Sequence, residues 1–244
     1  MPDPTGPAKK PDTVTFRYRF KFPNGEEKSF TVRLDAGTLS LIPPVKTSYP
    51  EWTKLSYHQC PNCPLKENEH PYCPAAVSLV DLVEAMSKVI SHEEVDVTIE
   101  SQARRYEKHT SIQQGVSSLT GLYMATSGCP VMGQLRPMVR HHLPFATLAE
   151  TEYRVLSMYL LAQYFVAKRG GTPDWALTHL REMYEDIRKV NRAFSERLSA
   201  IPAEDANLNA IVILDTFADS ITFSIDEQLL DELELLFLPY MKNP

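Results

Sequence analysis

Glycine is scarce in this chain, with nine in 244 residues. None of them builds a GxGxxG turn or a phosphate-cradling loop. No Gly-x-Ser-x-Gly elbow and no His-Glu-x-x-His pair occurs either, so nucleotide binding, serine hydrolysis and zincin chemistry lack their usual signatures. Long apolar runs are missing. Nothing approaches the roughly 20 residues that span a bilayer, and no membrane partner is expected. Met1 to Lys10 is proline-rich and polar without an apolar stretch, which is not a secretory leader, and the expected compartment is cytoplasmic. Basic residues are outnumbered, 25 to 31, for a net charge of −6. That balance argues against a broad nucleic-acid surface. Only four cysteines are present. Without a leader they are not expected to pair as disulfides, which leaves metal or redox chemistry.

Hydrophobic residues make up 43% of the chain, enough for a sizeable core. Residues 1–13 form a polar lead-in with the composition of a disordered segment. Val14, Phe16, Tyr18, Phe20 and Phe22 then alternate with polar residues as in a half-buried strand. Asn24-Gly25 signals a hairpin, and Phe30, Val32 and Leu34 alternate on the returning strand. Leu39 and Leu41, and then Thr53, Leu55 and Tyr57, suggest two short further strands. A helix follows Pro74. Val95, Val97 and Ile99 alternate again and can pair with Arg104–Thr110. Region 14–110 therefore reads as an antiparallel sheet of hairpins carrying a cysteine-rich loop and one helix.

Region 111–244 reads as helical and packed with the sheet as one unit. Ser111 with Gln114, Thr147 with Glu150 and Ser224 with Glu227 have capping-box spacing. Thr172-Pro173 has the form of a helix start. Leu156, Tyr159, Leu160, Leu161, Tyr164 and Phe165 make one helix apolar nearly all round, which predicts a central, buried position; Tyr153, Tyr159 and Tyr164 are read as core. The fold class expected is α+β, an N-terminal antiparallel sheet followed by a C-terminal helical bundle.

The cysteines are spaced Cys60-x2-Cys63-x9-Cys73-x55-Cys129, and each precedes a proline. Proline suits the first helical position, which places the sulfurs of Cys73 and Cys129 at helix starts, where the dipole favours thiolate. Four thiolates suit one zinc ion, and Cys60-Pro61-Asn62-Cys63 resembles half of a zinc-ribbon knuckle, with Pro64 where such knuckles carry glycine. The same four ligands suit a [4Fe–4S] cluster. A dithiol couple at Cys60 and Cys63 lacks the strand–helix setting of a thioredoxin-like site. Unrelated buried thiols are the remaining account, most natural for Cys129 alone. Zinc bound by Cys60, Cys63, Cys73 and Cys129, in a binding or scaffold module open to an unknown protein partner, is the first expectation. A [4Fe–4S] redox or sensor protein is the alternative. His58 and His70 flank the cluster as substitute ligands or supporting polar groups.

A second constellation is Arg136, Arg140 and His141. Two arginines four apart share a helix face and can grip a phosphate or carboxylate of a bound cofactor, with His141 as acid, base or ligand. This supports a third reading, an enzyme working beside the metal. Pairing of the arginines with nearby carboxylates is the simpler account.

The segments His-Gln-Cys-Pro-Asn-Cys-Pro-Leu (58–65), Glu-His-Pro-Tyr-Cys-Pro (69–74), Ala-Thr-Ser-Gly-Cys-Pro (125–130) and Tyr-Leu-Leu-Ala-Gln-Tyr-Phe (159–165) resemble a bacterial family of unknown function. The resemblance runs over most of the chain after residue 13, and the four-cysteine pattern is its most specific part. It implies a shared design and transfers no activity.

Overall fold

The computed structural model describes residues 12–44, 46–202, 204–224 and 228–241. Most of the lead-in over 1–13, and the capping box at Ser224 and Glu227, lie outside the described residues. The α+β expectation holds: a four-stranded antiparallel sheet comes first and helices follow.

Strands β1 (Thr13–Lys21) and β2 (Glu27–Asp35) form the hairpin that the alternation predicts, in register from Thr13 opposite Asp35 to Lys21 opposite Glu27. Its turn places Gly25 at a φ of 86°, where a side chain would be strained, and the Asn24 side chain accepts from the Glu26 amide. Helix α1 (Pro74–Ala85) then leads to β3 (Glu94–Glu100) and β4 (Arg105–Ser111). β3 pairs with β1, giving the order β2-β1-β3-β4. Phe16, Tyr18, Phe20, Val32, Leu34, Val95, Val97 and Ile99 are buried on one face, while Arg17, Arg19, Lys21 and Arg33 point to solvent. The edge strand β4 is mostly exposed and carries Arg105, Glu107, Lys108 and His109, charges that discourage pairing with another edge. The short strands expected near Leu41 and Leu55 do not form. Each segment keeps one isolated bridge, Leu34 to Leu41 and Lys54 to Tyr72.

The helices are α2 (Ile112–Thr126), the short α3 (Arg136–Val139), α4 (Leu148–Lys168), α5 (Thr178–Ser199), α6 (Ala206–Ser224) and α7 (Gln228–Met241). α2 lies on the buried face of the sheet. Its Gly115 makes the close approach possible, because a Cβ there would stand 2.7 Å from Phe20 Cε1 and 3.0 Å from Val97 Cγ2. Gly115→Ala is therefore expected to cost about 1–3 kcal/mol by overpacking, against the helical preference for alanine. A thermal melt several degrees lower checks this; an unchanged melt would mean that sheet and helix part freely.

Three helix expectations are corrected. Ser111 is the N-cap of α2, but its side chain accepts no helix amide. α5 does not start at Thr172-Pro173: residues 172–177 are irregular, and Leu177, at a φ of 61°, precedes the first turn. Asp174 explains the delay, since its carboxylate accepts from the Tyr159 hydroxyl at 2.7 Å and from the His179 amide at 2.8 Å, tying that stretch to α4 and capping α5 from outside. α4 has the capping box read from Thr147 and Glu150. It is not central, however. Val155, Leu156 and Tyr159 are buried, but the helix runs on past the body, leaving Leu161 57% and Phe165 47% exposed. Tyr153 and Tyr164 are likewise exposed.

Candidate functional site

The cysteine segment is laid against the residues around Trp52. Cys73 N–H donates to Thr53 O at 2.8 Å and Leu55 N–H to Pro71 O at 3.0 Å, which folds the loop back on itself. Cys63 N–H donates to Cys60 O at 3.0 Å, closing the Cys60–Cys63 turn. Asn62 Nδ2 donates to Asp186 O at 3.1 Å, pinning that turn to α5. Cys73 is the N-cap of α1 with Pro74 in its first turn, as the Cys-Pro order predicts. Gly128, at a φ of 97°, ends the stretch after α2, and Cys129 follows it ahead of a 3-10 turn, Met132–Leu135, where the sequence suggests a longer helix.

Three separate segments thus deliver four free thiols, Cys73 buried and the others half-buried. All six pairs among Cys60, Cys63, Cys73 and Cys129 lie within electrostatic reach. Burial pushes the Cys60 thiol up to about 12, and the neighbouring sulfurs add to the rise. Burial also raises Cys73 and Cys129, while the amides of Ala76 and Ala75, and of Met132 and Val131, pull them back. Those amides are the helix-start dipoles that the Cys-Pro pairs foretell. Among the described residues, no three His, Cys, Asp or Glu side chains stand at the spacing of a single-ion site.

The residue that sequence reasoning missed is Arg197, on α5. It is 1% exposed, among the largest wholly buried side chains of the protein. Nη1 donates to Trp52 O and, at 2.9 Å, to Lys54 O; Nη2 reaches His58 O at 3.4 Å. The guanidinium packs over the rings of Phe194 and Tyr57, 5.5 and 5.8 Å from their centroids. Its charge acts on Cys73, Cys60 and Cys63. Its Nε is buried with no hydrogen-bond partner, and so is Asn62 Oδ1. The only sequence signal was a basic residue amid Phe194 and Leu198 on an apolar stripe. His58 pairs loosely with Glu196 at 3.8 Å, and His70 is exposed.

Arg136, Arg140 and His141 do not gather as one grip. Arg140 and His141 line a cleft of 710 Å³ where the open end of the first hairpin meets the turn of the second, together with Arg104, Asp35 and Gln102. Arg140 Nη1 donates to Ala36 O at 3.3 Å. Arg136 is not part of that cleft and donates to Ser40 Oγ at 3.2 Å.

Residues 16–238 match the model of a domain of unknown function, DUF6901, and the chain belongs to that family. No curated protein and no solved structure matches it.

Proposed function

We propose that Cys60, Cys63, Cys73 and Cys129 together ligate one inorganic group, and that the group is a [4Fe–4S] cluster, making the protein an electron carrier or redox sensor of a reducing, cytoplasmic compartment. The observation that carries the reading is the convergence of all four cysteines, from three segments up to 69 residues apart in sequence, beside one buried arginine. Chance burial of four thiols does not call for a guanidinium among them. A dianionic four-thiolate centre does, and Arg197 Nε is an unspent donor for it. One zinc ion, at about 2.3 Å from each sulfur, draws its ligands to roughly 3.8 Å from one another. A cluster of four irons spreads its ligands wider and takes them from separate segments, as these thiols are placed. When bound, the group supplies reversible one-electron chemistry. The chain contributes the four ligands, the helix-start amides at Cys73 and Cys129 and the Arg197 charge, all of which favour the more reduced state or tighter retention. The four-cysteine pattern is on this reading a property of the bacterial family.

The test is iron, zinc and acid-labile sulfide content of the full chain purified without oxygen, with a visible spectrum. About four irons with matching sulfide and a brown colour are expected. One colourless zinc per chain would replace the cluster by a structural clip on the same ligands, and neither metal would remove the site. Cys63→Ser should lose most of the bound group; unchanged stoichiometry would show that the thiols do not act together.

A further inference from the structure

A second site lies between α2, α6 and the segment from Leu135 to Thr151, where the structure forms an open pocket of 180 Å³. Leu122, Met138, Leu214 and Phe217 give it an apolar wall. Six polar side chains break that wall: Gln114, Ser117, Ser118, His142, Thr151 and Arg154. Behind them sits the Tyr18 hydroxyl, on the buried face of β1, 3.0 Å from Ser118 Oγ and 2.5 Å from His142 Nε2. Tyr18 is 1% exposed, and burial keeps both phenol and imidazole neutral, holding the His142 ring down to about 3.

Two neutral arrangements satisfy this chain, because either ring nitrogen can carry the single imidazole proton. An acceptor at Nδ1 selects the one in which Ser118 donates to Tyr18, Tyr18 donates to His142 Nε2 and the proton stands on Nδ1. Nδ1 has no hydrogen-bond partner among the described residues, while the ring edge packs on Phe16 with centroids 5.3 Å apart. In that arrangement the imidazole donates through Nδ1, with Tyr18 holding the opposite ring nitrogen. Arg154 is the second donor. Nη2 is committed to Met138 O at 3.0 Å and His141 O at 3.3 Å, which holds the guanidinium at the cavity while Nε and Nη1 remain for an acceptor.

We propose that this cavity binds a small carboxylic acid with a compact apolar body, its carboxylate taken by Arg154 and His142 Nδ1–H and its body by Leu122, Met138, Leu214 and Phe217. The size fits: an apolar protein cavity of about 150 Å³ accepts benzene. The chemistry fits as well, because an apolar lining with a few convergent donors is the usual form of a small-molecule site.

Calorimetric titration of the full chain at pH 7 with benzoate, and with benzyl alcohol as the uncharged analogue, tests this. Benzoate is expected to bind at least tenfold more tightly. Arg154→Gln should erase that preference while leaving binding of the alcohol, and Met138→Trp, which fills the cavity, should weaken both at least tenfold. His142→Phe should also reduce the preference, and it serves if Arg154→Gln does not fold. Equal affinity for the two ligands, no benzoate binding at millimolar concentration, or benzoate affinity unchanged within twofold in the variants would overturn the proposal.

Discussion

Arg197→Met is expected to lose about 3 kcal/mol or more of folding stability, the largest single-residue effect in the protein. The methionine keeps the contact with Phe194 and Tyr57 but donates nothing. The carbonyls of Trp52, Lys54 and His58 then lose their shared donor. A buried acceptor left unsatisfied costs about 1–3 kcal/mol, and bonds from a charged donor sit at the upper end. A domain holds only about 5–15 kcal/mol in total, so the loss is a large share. Urea unfolding of the full chain measures it, and a loss under about 1 kcal/mol would mean that water replaces the guanidinium without penalty. Arg197→Lys should fall between, because an ammonium is a point charge and cannot serve carbonyls of three residues through a planar fork. The lysine variant also separates two duties. If charge beside the thiolates matters, lysine retains more iron and sulfide than methionine does at equal protein; if only the carbonyls matter, retention follows stability in both.

The sheet was legible because its signal is local. Phe16, Tyr18 and Phe20 alternate with arginines, Asn24-Gly25 can close the turn, and period two leaves one register that buries the aromatic face. The Cys73-Pro74 helix start was legible for the same reason, since a helix start is a property of a few adjacent residues. α4 was not. Apolar residues all round a helix say that it avoids water, and they carry no information about how far the rest of the body extends beside it, so Leu161 and Phe165 were placed inside when they lie past its edge. The start of α5 was hidden because Asp174 caps it from five residues away and bonds Tyr159 of another helix. Arg197 and the Tyr18–His142 relay were hidden more deeply. An arginine in a helix stripe is ordinarily a solvated one, and only the arrival of three carbonyls from residues about 140 positions away makes it a core residue. His141 drew attention beside the arginines, while His142, next to it, is the one whose ring meets a buried partner, 124 residues upstream.

His142 should make the protein lose stability in mild acid, before its carboxylates titrate. An unfolded histidine binds its proton near pH 6.5, whereas burial beside Tyr18 and the nearby Arg154 charge hold the folded ring down to about 3. Above pH 6.5 both states are neutral and the full native contribution is present. As pH falls below 6.5, the unfolded chain gains a proton that the folded chain refuses, and stability drops by up to about 1.4 kcal/mol per pH unit. The depressed carboxylates Asp35, Glu150 and Asp205 act in the same direction, but only as pH falls through their own range, near and below 4. His109 has the opposite sign: Asp96 and Glu94 raise it, so it contributes below its unfolded value and loses that contribution as pH rises, and its full exposure keeps the effect small. The window from pH 6.5 to 5 therefore isolates His142. Over it the wild-type protein is expected to lose about 1.6 kcal/mol in urea unfolding. His142→Phe, which keeps the Ser118 partner for the Tyr18 hydroxyl, should be nearly flat there, and His109→Gln should retain the wild-type slope. Equal slopes for wild type and His142→Phe would mean that the folded ring takes up its proton as readily as the unfolded one, so that burial and the Arg154 charge do not hold it neutral.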